Sequence, residues 1–393
     1  MQIVPPAARP CVTECSRCGC VLAGPATGRV DAPLALSIAA LLLLLPALAA
    51  PLMTVSTFGA VRASWMPSSA SGLWSDGYQS LAVLVGAFGI ALPAAFLGLL
   101  IWVLGSLHFG PGAARLGPAF RWVQRLRPWV MIEVFLVGCF VAYSRIKVIS
   151  TVEVGLGGWC LIGSTLALLL ALTQLDARTV WQSLEPHDAG SGQGPSVACT
   201  VCDLIVAVGE RPPRRCPRCA AKLHARKPDS LRRTAALVVA GCILYVPANT
   251  LPVLTIVRFG REDNNTILSG VLELIHNDLW PLAAIVFAAS IVLPLLKLFG
   301  LTWMLLATRR GSAALLVGRT RFYRTIDVVG RWSNIDVFMV SVLVAILQFG
   351  TLTSVHAGTG LVAFAAVVII TMIATETFDT RLMWDVSGGR THA

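Results

Sequence analysis

The chain has 393 residues; 56% are hydrophobic, only 13% are charged, the mean hydropathy is +0.75 and the net charge is +11. Soluble domains carry about twice that share of charge, so a water-facing globular protein is excluded and lipid must be the main solvent. The positive balance does not call for nucleic acid, because arginine-rich cytoplasmic loops account for it first in a membrane protein.

The N-terminal stretch, residues 1–33, carries CSRCGC. Its Cys15-x2-Cys18 pair offers two thiolates, half of a tetrahedral metal site, with Cys11 and Cys20 beside it as substitute ligands. Crossing about 30 Å of hydrocarbon takes about 20 apolar residues. Four such runs follow, at 34–55, 81–105, 129–149 and 157–175, within a first module of residues 34–181. A linker at 182–198 and a cysteine-rich segment at 199–224 lead to a second module, 225–384. Its runs lie at 235–257, 279–307, 334–352 and 360–378, and a tail occupies 385–393. LLLLLPALAAP resembles a signal-peptide cleavage region. However, PALAAPLMT (46–54) returns 201 residues later as PANTLPVLT (247–255), and a cleaved leader has no reason to copy an internal helix.

The repeat is general. Leu92-Pro93 returns as Leu293-Pro294 at the same shift, while MIEVFLV (131–137) returns as NIDVFMV (334–340) and TQLDARTVW (173–181) as ETFDTRLMW (376–384) at a shift of 203. Four spans per copy is an even number, so the two repeats are parallel. Arg115, Arg121, Arg125 and Arg127 lie between spans two and three. Arg309, Arg310, Arg319, Arg321, Arg324 and Arg331 lie between spans six and seven, and ten Lys/Arg occupy residues 176–233. The positive-inside rule then places both termini and every cysteine pair in the cytoplasm. The expected fold is an all-α polytopic membrane protein of two tandem four-helix repeats, each preceded by a small ribbon.

Cys199-x2-Cys202, thirteen residues, then Cys216-x2-Cys219 is the spacing of a zinc ribbon, with LIVAV as a short strand and GERPP as the turn. So short a segment has no core of its own, and the metal supplies the folding energy. The same spacing serves a rubredoxin-type iron site, so a membrane redox protein stands as the rival reading. Cys15 and Cys18 lie 201 residues before Cys216 and Cys219. CSRC is therefore the counterpart of the second knuckle, whose first knuckle would fall at about residue 0: either the ribbon is degenerate or the true start lies upstream, and Cys11 and Cys20 either complete a metal site or decorate a remnant. Cys139, Cys160 and Cys242 sit alone in apolar runs as packing residues.

Among intramembrane polar residues, Lys297 in LPLLKLFG is the exception to an otherwise uncharged set of mid-spans. It lies about eleven residues from the cytoplasmic end of span six, roughly 16 Å deep. The first repeat has Phe96 there. Ser290 shares its face seven residues earlier, and Thr371 is the expected partner from span eight, with Thr375 and Glu376 nearer the cytoplasm. Asp336 and its counterpart Glu133 open spans seven and three, where the helix dipole favours a carboxylate. Asn249 and Thr250, beside Pro247 and Pro252, fit a broken helix lining a cavity. No span contains a histidine for paired haem ligation, and no GxxxxGK[ST], GxSxG or HExxH occurs. ATP binding and these hydrolytic enzyme classes are therefore not expected.

The CxxC…CxxC ribbon, PANTLP (247–252), LPLLKLFG (293–300) and NIDVF (334–338), in this combination, resemble the paraquat-inducible protein A family. The resemblance implies an inner-membrane protein working beside a periplasmic MCE-domain partner in intermembrane lipid transport, with membrane lipids as cargo and zinc in the ribbon. The missing first knuckle departs from that pattern. Lys297 with Ser290 and Thr371 then become candidates for coupling proton movement to lipid loading. A passive membrane anchor for a partner is the remaining alternative.

Overall fold

The computed structural model describes residues 13–15, 21–23, 30–57, 60–110, 113–148, 150–184, 196–207, 214–224, 226–258, 261–347 and 353–388. Among these, eight helical runs are long and apolar enough to cross a bilayer. In the first repeat they are α1 (Asp31–Ala49), α3 (Gln79–Gly86) continuing through a π-turn into α4 (Leu92–Phe109), α5 (Ala113–Leu126) continuing into α6 (Ile132–Lys147), and α7 (Leu156–Gln174). In the second they are α9 (Ser230–Thr250), α11 (Trp280–Phe287) through a π-turn into α12 (Leu293–Arg309), α13 (Leu316–Val329) into α14 (Ile335–Ile346), and α15 (Thr359–Thr377). Short helices α2 (Met66–Ser75), α8 (Ala177–Ser183), α10 (Ile267–His276) and α16 (Arg381–Gly388) complete the set.

The first and fifth spans are shorter than their apolar runs. Helix α1 stops at Ala49 and α9 at Thr250, each just before a proline (Pro51, Pro252), which has no N–H and biases its predecessor to extended backbone. The β-branched residues that follow pair as strands instead. Strand β3 (Met53–Thr57) lies between β4 (Ala60–Ser64) and β5 (Thr151–Val154), in register Met53↔Ser64 and Met53↔Val154. Strand β8 (Leu254–Arg258) lies likewise between β9 (Arg261–Asn265) and β10 (Thr353–Ala357). The third and seventh helical spans also end early, at Lys147 and Ile346, before β5 and β10. Each antiparallel sheet ties the end of one long helix to the start of another, α1 to α7 and α9 to α15, and these pairs pack along their lengths.

The two repeats meet through their equivalent third spans. Phe135 packs edge-on against Phe338 at 5.4 Å between ring centres, and the Asn334 side-chain amide donates to Met131 Sδ at 2.9 Å. Both contacts join residues 203 apart, the repeat shift itself. Residues that touch their own counterparts lie on the symmetry axis, so the halves are related by a pseudo-two-fold axis between α6 and α14.

Candidate functional site

Two regions gather chemistry. The first is the ribbon. Strands β6 (Ser196–Ala198) and β7 (Ile205–Ala207) pair antiparallel and carry the first knuckle. The Cys199 N–H donates to the Leu204 carbonyl at 2.9 Å and the Asp203 N–H to the Cys199 carbonyl at 3.2 Å. The second knuckle repeats this with Cys216 to Ala221 and Ala220 to Cys216, both 2.8 Å. Asp203 and Ala220, the residues after the second cysteines, both take the left-handed conformation at φ 55°. Two identical turns thus aim four buried sulfurs inward. All lie within 4.8 Å of one another, with Cys199–Cys219 and Cys202–Cys216 at 3.5 Å. A tetrahedral ion about 2.3 Å from each sulfur sets sulfur pairs roughly 3.8 Å apart, so the cluster fits a metal. Hydrogen bonding from Cys202 and Cys219 pushes the Cys199 thiol down, while sharing with Cys199 pushes Cys219 up to about 12. The cluster is poised to lose one proton easily and the rest on metal binding.

The ribbon is seated on the first repeat, although it precedes the second. Gly117 of α5 lies so close that a Cβ there would stand 2.0 Å from the Arg218 carbonyl oxygen. With its amide turned to satisfy both neighbours, Gln124 donates to the Val201 carbonyl and accepts from Trp181 Nε1. Beyond the ribbon, Arg226 grips Asp385 at 2.6 and 2.9 Å, and the Lys227 N–H donates to Asp379 Oδ2 at 3.1 Å. At the N-terminus, strands β1 (Thr13–Glu14) and β2 (Val21–Ala23) preserve the second-knuckle register: Glu14↔Val21 becomes Arg215↔Lys222 after 201 residues. Cys15 is partly buried, and Cys11, Cys18 and Cys20 lie outside the described residues.

The second region lies within the spans. Lys297 is 2% exposed and its Nζ donates to the Gly330 carbonyl at 2.8 Å. Gly330 begins the 3-10 turn between α13 and α14, and a Cβ there would lie 2.1 Å from Lys297 Cε. Asp327, one turn earlier on α13, is its charged neighbour. The first repeat makes the opposite choice, with Phe96 for Lys297 and Arg127 for Gly330. Ser290 sits in the π-turn Ala288–Val292, fully buried with its hydroxyl unpartnered, and faces Asp336. Such turns recur at functional sites, and the first repeat has one at Ala87–Ala91.

Asp336 is in the first turn of α14, as expected, yet twenty residues into the run Leu316–Ile346 rather than at its mouth. It is 3% exposed and neither carboxylate oxygen has a hydrogen-bond partner. Its counterpart Glu133 pairs with Arg331 at 3.2 Å. Applying the axis to that pair puts Asp336 opposite position 128, which is proline, so the mirrored partner does not exist. The Ser333 hydroxyl and the Asn334 side-chain oxygen (Oδ1) are unpartnered in the same turn.

The other expected residues are placed differently. Thr371 is buried, but its hydroxyl donates to the Val368 carbonyl of its own helix, and Lys297 bonds Gly330 instead. Asn249 and Thr250 donate to the Tyr245 and Val246 carbonyls, filling out the helix around Pro247, with Thr250 exposed. Thr375 donates to the Met372 carbonyl, while the exposed Glu376 contributes its backbone carbonyl to Lys227. Gly330 and Asp327 escaped the sequence reading; the swap of Arg127 for Gly330 between repeats is the signal that points to the former.

Comparison with known proteins adds three relatives and one family. The model of the family described as Paraquat-inducible protein A matches residues 30–185 and 231–387. The Intermembrane transport protein PqiA of Escherichia coli K12 is 32% identical over 384 residues, covering 94% of this chain and 90% of its own. The Lipophilic envelope-spanning tunnel protein A of the same strain is 28% identical over 316 residues, 80% and 73% of the two chains. A Probable intermembrane transport protein of Haemophilus influenzae is 25% identical over 386 residues, 95% and 90%. No solved structure matches.

Proposed function

Since the chain belongs to the paraquat-inducible protein A family, as a multi-pass membrane protein of two tandem repeats, we propose that it is the membrane subunit of an intermembrane lipid transport system. In this reading it sits in the inner membrane with both termini cytoplasmic, and it loads or extracts lipid for a periplasmic MCE-domain partner. It catalyses no covalent reaction. The names of the relatives support transport between membranes; the distribution of arginines supports the orientation.

The observation that carries a driving mechanism is Lys297, a buried ammonium whose hydrogen bond is to one backbone carbonyl, in a span shared with the unpartnered Ser290. A buried ionisable group at mid-depth, with a hydroxyl and a carboxylate on the neighbouring turns, is the kind of residue that marks a proton path through a membrane protein. Asp336, across from Ser290, is a second station for that proton, and Thr371 flanks the path. Zinc in the four-thiolate ribbon is structural: it fixes the two knuckles and thereby the seat of the ribbon on α5. The ion supplies no chemistry beyond holding its ligands.

The test is complementation of an envelope-sensitivity phenotype by Lys297→Ala and Lys297→Met, with surface expression checked. Both are expected to fail. Full complementation by either removes proton coupling through this lysine and leaves an anchoring role. Lipid transfer between vesicles, with and without the MCE-domain partner, tests the cargo.

A further inference from the structure

Helix α13 turns one face to the rest of the protein. At about 3.6 residues per turn, Thr320, Tyr323, Ile326 and Gly330 fall together on it. Thr320, Ile326 and Gly330 are buried, and Tyr323 leans on Phe378 while its hydroxyl donates to the Thr375 carbonyl at 2.6 Å. Asp327 belongs to the same face, four residues after Tyr323 and three before Gly330, yet it is exposed. An exposed residue in the middle of a covered face means that the packing leaves a notch there. Charge bounds this notch. At its floor Lys297 bonds the Gly330 carbonyl, and at its mouth Lys227 Nζ donates to the Glu376 and Phe378 carbonyls at the end of α15. Asp327 is an electrostatic neighbour of both lysines, and Arg331 and Glu376 also face it. Lys227 lies in the connector that follows the ribbon, so the notch opens toward the ribbon side. A carboxylate turned to hydrocarbon is costly, which makes water the natural filling.

The two repeats differ here as a set. In the first, Phe96 stands for Lys297, Arg127 for Gly330 and Gln124 for Asp327, and Gln124 is taken up by Trp181 and the ribbon's Val201 carbonyl. The carboxylate is present only where the lysine is. We propose that Asp327 is the port through which Lys297 exchanges its proton with water on the ribbon side. The rise from Asp327 to Gly330 is about 4.5 Å, within reach directly or through one water. The Lys297 ammonium passes a proton to the Asp327 carboxylate, leaving an amine and a carboxylic acid. The acid then gives that proton to water in the notch, forming hydronium, and is a carboxylate again. The reverse order reloads the lysine. Ser290 and Asp336 are the stations beyond the lysine, so the port supplies the path with an end in water. This inference rests on the proton-coupling reading of Lys297.

Two measurements test the port. In membrane vesicles of each orientation, the full-length chain carrying Asp327→Cys is offered a membrane-impermeant methanethiosulfonate, and the label is located by peptide mass spectrometry. Label at position 327 is expected only with the reagent on the ribbon side; no label there, or label from the opposite side, overturns the proposal. The second measurement is transfer of a fluorescent phospholipid out of proteoliposomes holding the chain and an MCE-domain partner, followed against pH. Asp327→Ala is expected to slow transfer at least about tenfold and to change its pH profile, while Asp327→Glu stays within about threefold of wild type. A small diffusible acid, formate or azide, stands in for the missing carboxyl group and speeds Asp327→Ala at least about threefold, whereas Lys297→Met gains nothing. A carboxylate that merely balances its lysines would leave the pH profile unaltered and give no rescue, and that result overturns the port. Should Asp327→Ala fold poorly, Asp327→Asn, of the same shape, carries the rescue. Full transfer by Asp327→Ala beside an inactive Lys297→Met removes the port and leaves the lysine reading standing. Full transfer by Lys297→Met, or none by the wild-type chain, removes that reading and the port with it.

Discussion

Gly330→Ala isolates the lysine site with one methyl group. The backbone at 330 is ordinary right-handed helix, φ −62° and ψ −23°, so alanine meets no conformational barrier there. Taken alone, that exchange should stabilise the turn by up to about 1 kcal/mol, because glycine loses more freedom on folding. What opposes it is the new Cβ, 2.1 Å from Lys297 Cε and 2.6 Å from Nζ. The lysine is 2% exposed and closely surrounded, so it must give up its 2.8 Å bond to the Gly330 carbonyl. A hydrogen bond from a charged donor contributes about 1.5–3 kcal/mol, and overpacking adds about 1–3 kcal/mol. We therefore expect a net destabilisation of about 2–4 kcal/mol, read as a lowered midpoint of thermal unfolding in detergent. In a Lys297→Ala background the methyl has nothing to strike, and the same exchange becomes neutral or mildly stabilising. The cycle thus predicts a coupling of at least about 2 kcal/mol between the two positions. An equal penalty in both backgrounds would show that Gly330 serves the turn and not the lysine.

The ion pair between the repeats is open to a direct test. Glu133→Gln, which breaks the bond to Arg331, should lower stability by about 1 kcal/mol; an unchanged midpoint of thermal unfolding would show that the pair does not help hold the two repeats together. Metal analysis should find about one zinc per intact ribbon, colourless, and Cys216→Ser should lose most of it; a red iron chromophore would support redox chemistry instead. Ribbon metal should be retained less well as pH falls. The Cys219 thiol, pushed up to about 12, releases its proton when the ion binds, so acid favours the metal-free form. Competition with a chelator should show a weaker apparent affinity at pH 6 than at pH 8, and pH-independent retention would argue against thiolate ligation. Finally, Gly117→Leu should loosen the ribbon from α5 without reducing its metal content, visible as faster proteolysis near residue 200.

Much of this architecture is legible along the chain because it is local. The spans announce themselves by length and apolarity, the knuckles by spacing, and the duplication by a constant shift that the strand pairing Glu14–Val21 and Arg215–Lys222 reproduces. The misreadings share a cause. MTVST and LTIVR follow directly on apolar helices, and hydropathy does not separate an apolar strand from one more helical turn. The site is less legible because its partners come from elsewhere. Lys297 was evident as a charge in lipid, yet its acceptor is a backbone carbonyl that no side-chain pattern records. Arg145 reads as an ordinary cation at a helix end until the fold carries it across to Gly270 of the other repeat. Thr371 illustrates the converse: a hydroxyl at the expected depth bonded to its own helix.

The contact of Phe135 with Phe338, and of Met131 with Asn334, is the geometry of a homodimer written into one polypeptide. Two identical half-length chains meeting through this face would be bound by duplication: any residue placed on one side of the axis would appear again on the other, at the same depth. Joining them in tandem removes that constraint. One half can keep Phe96 as inert filling while the other takes Lys297, and one carboxylate can be paired while its twin is left open. Fusion is thus what lets a symmetric frame hold a single, off-axis working side, with the quiet half serving as the rigid wall against which it operates.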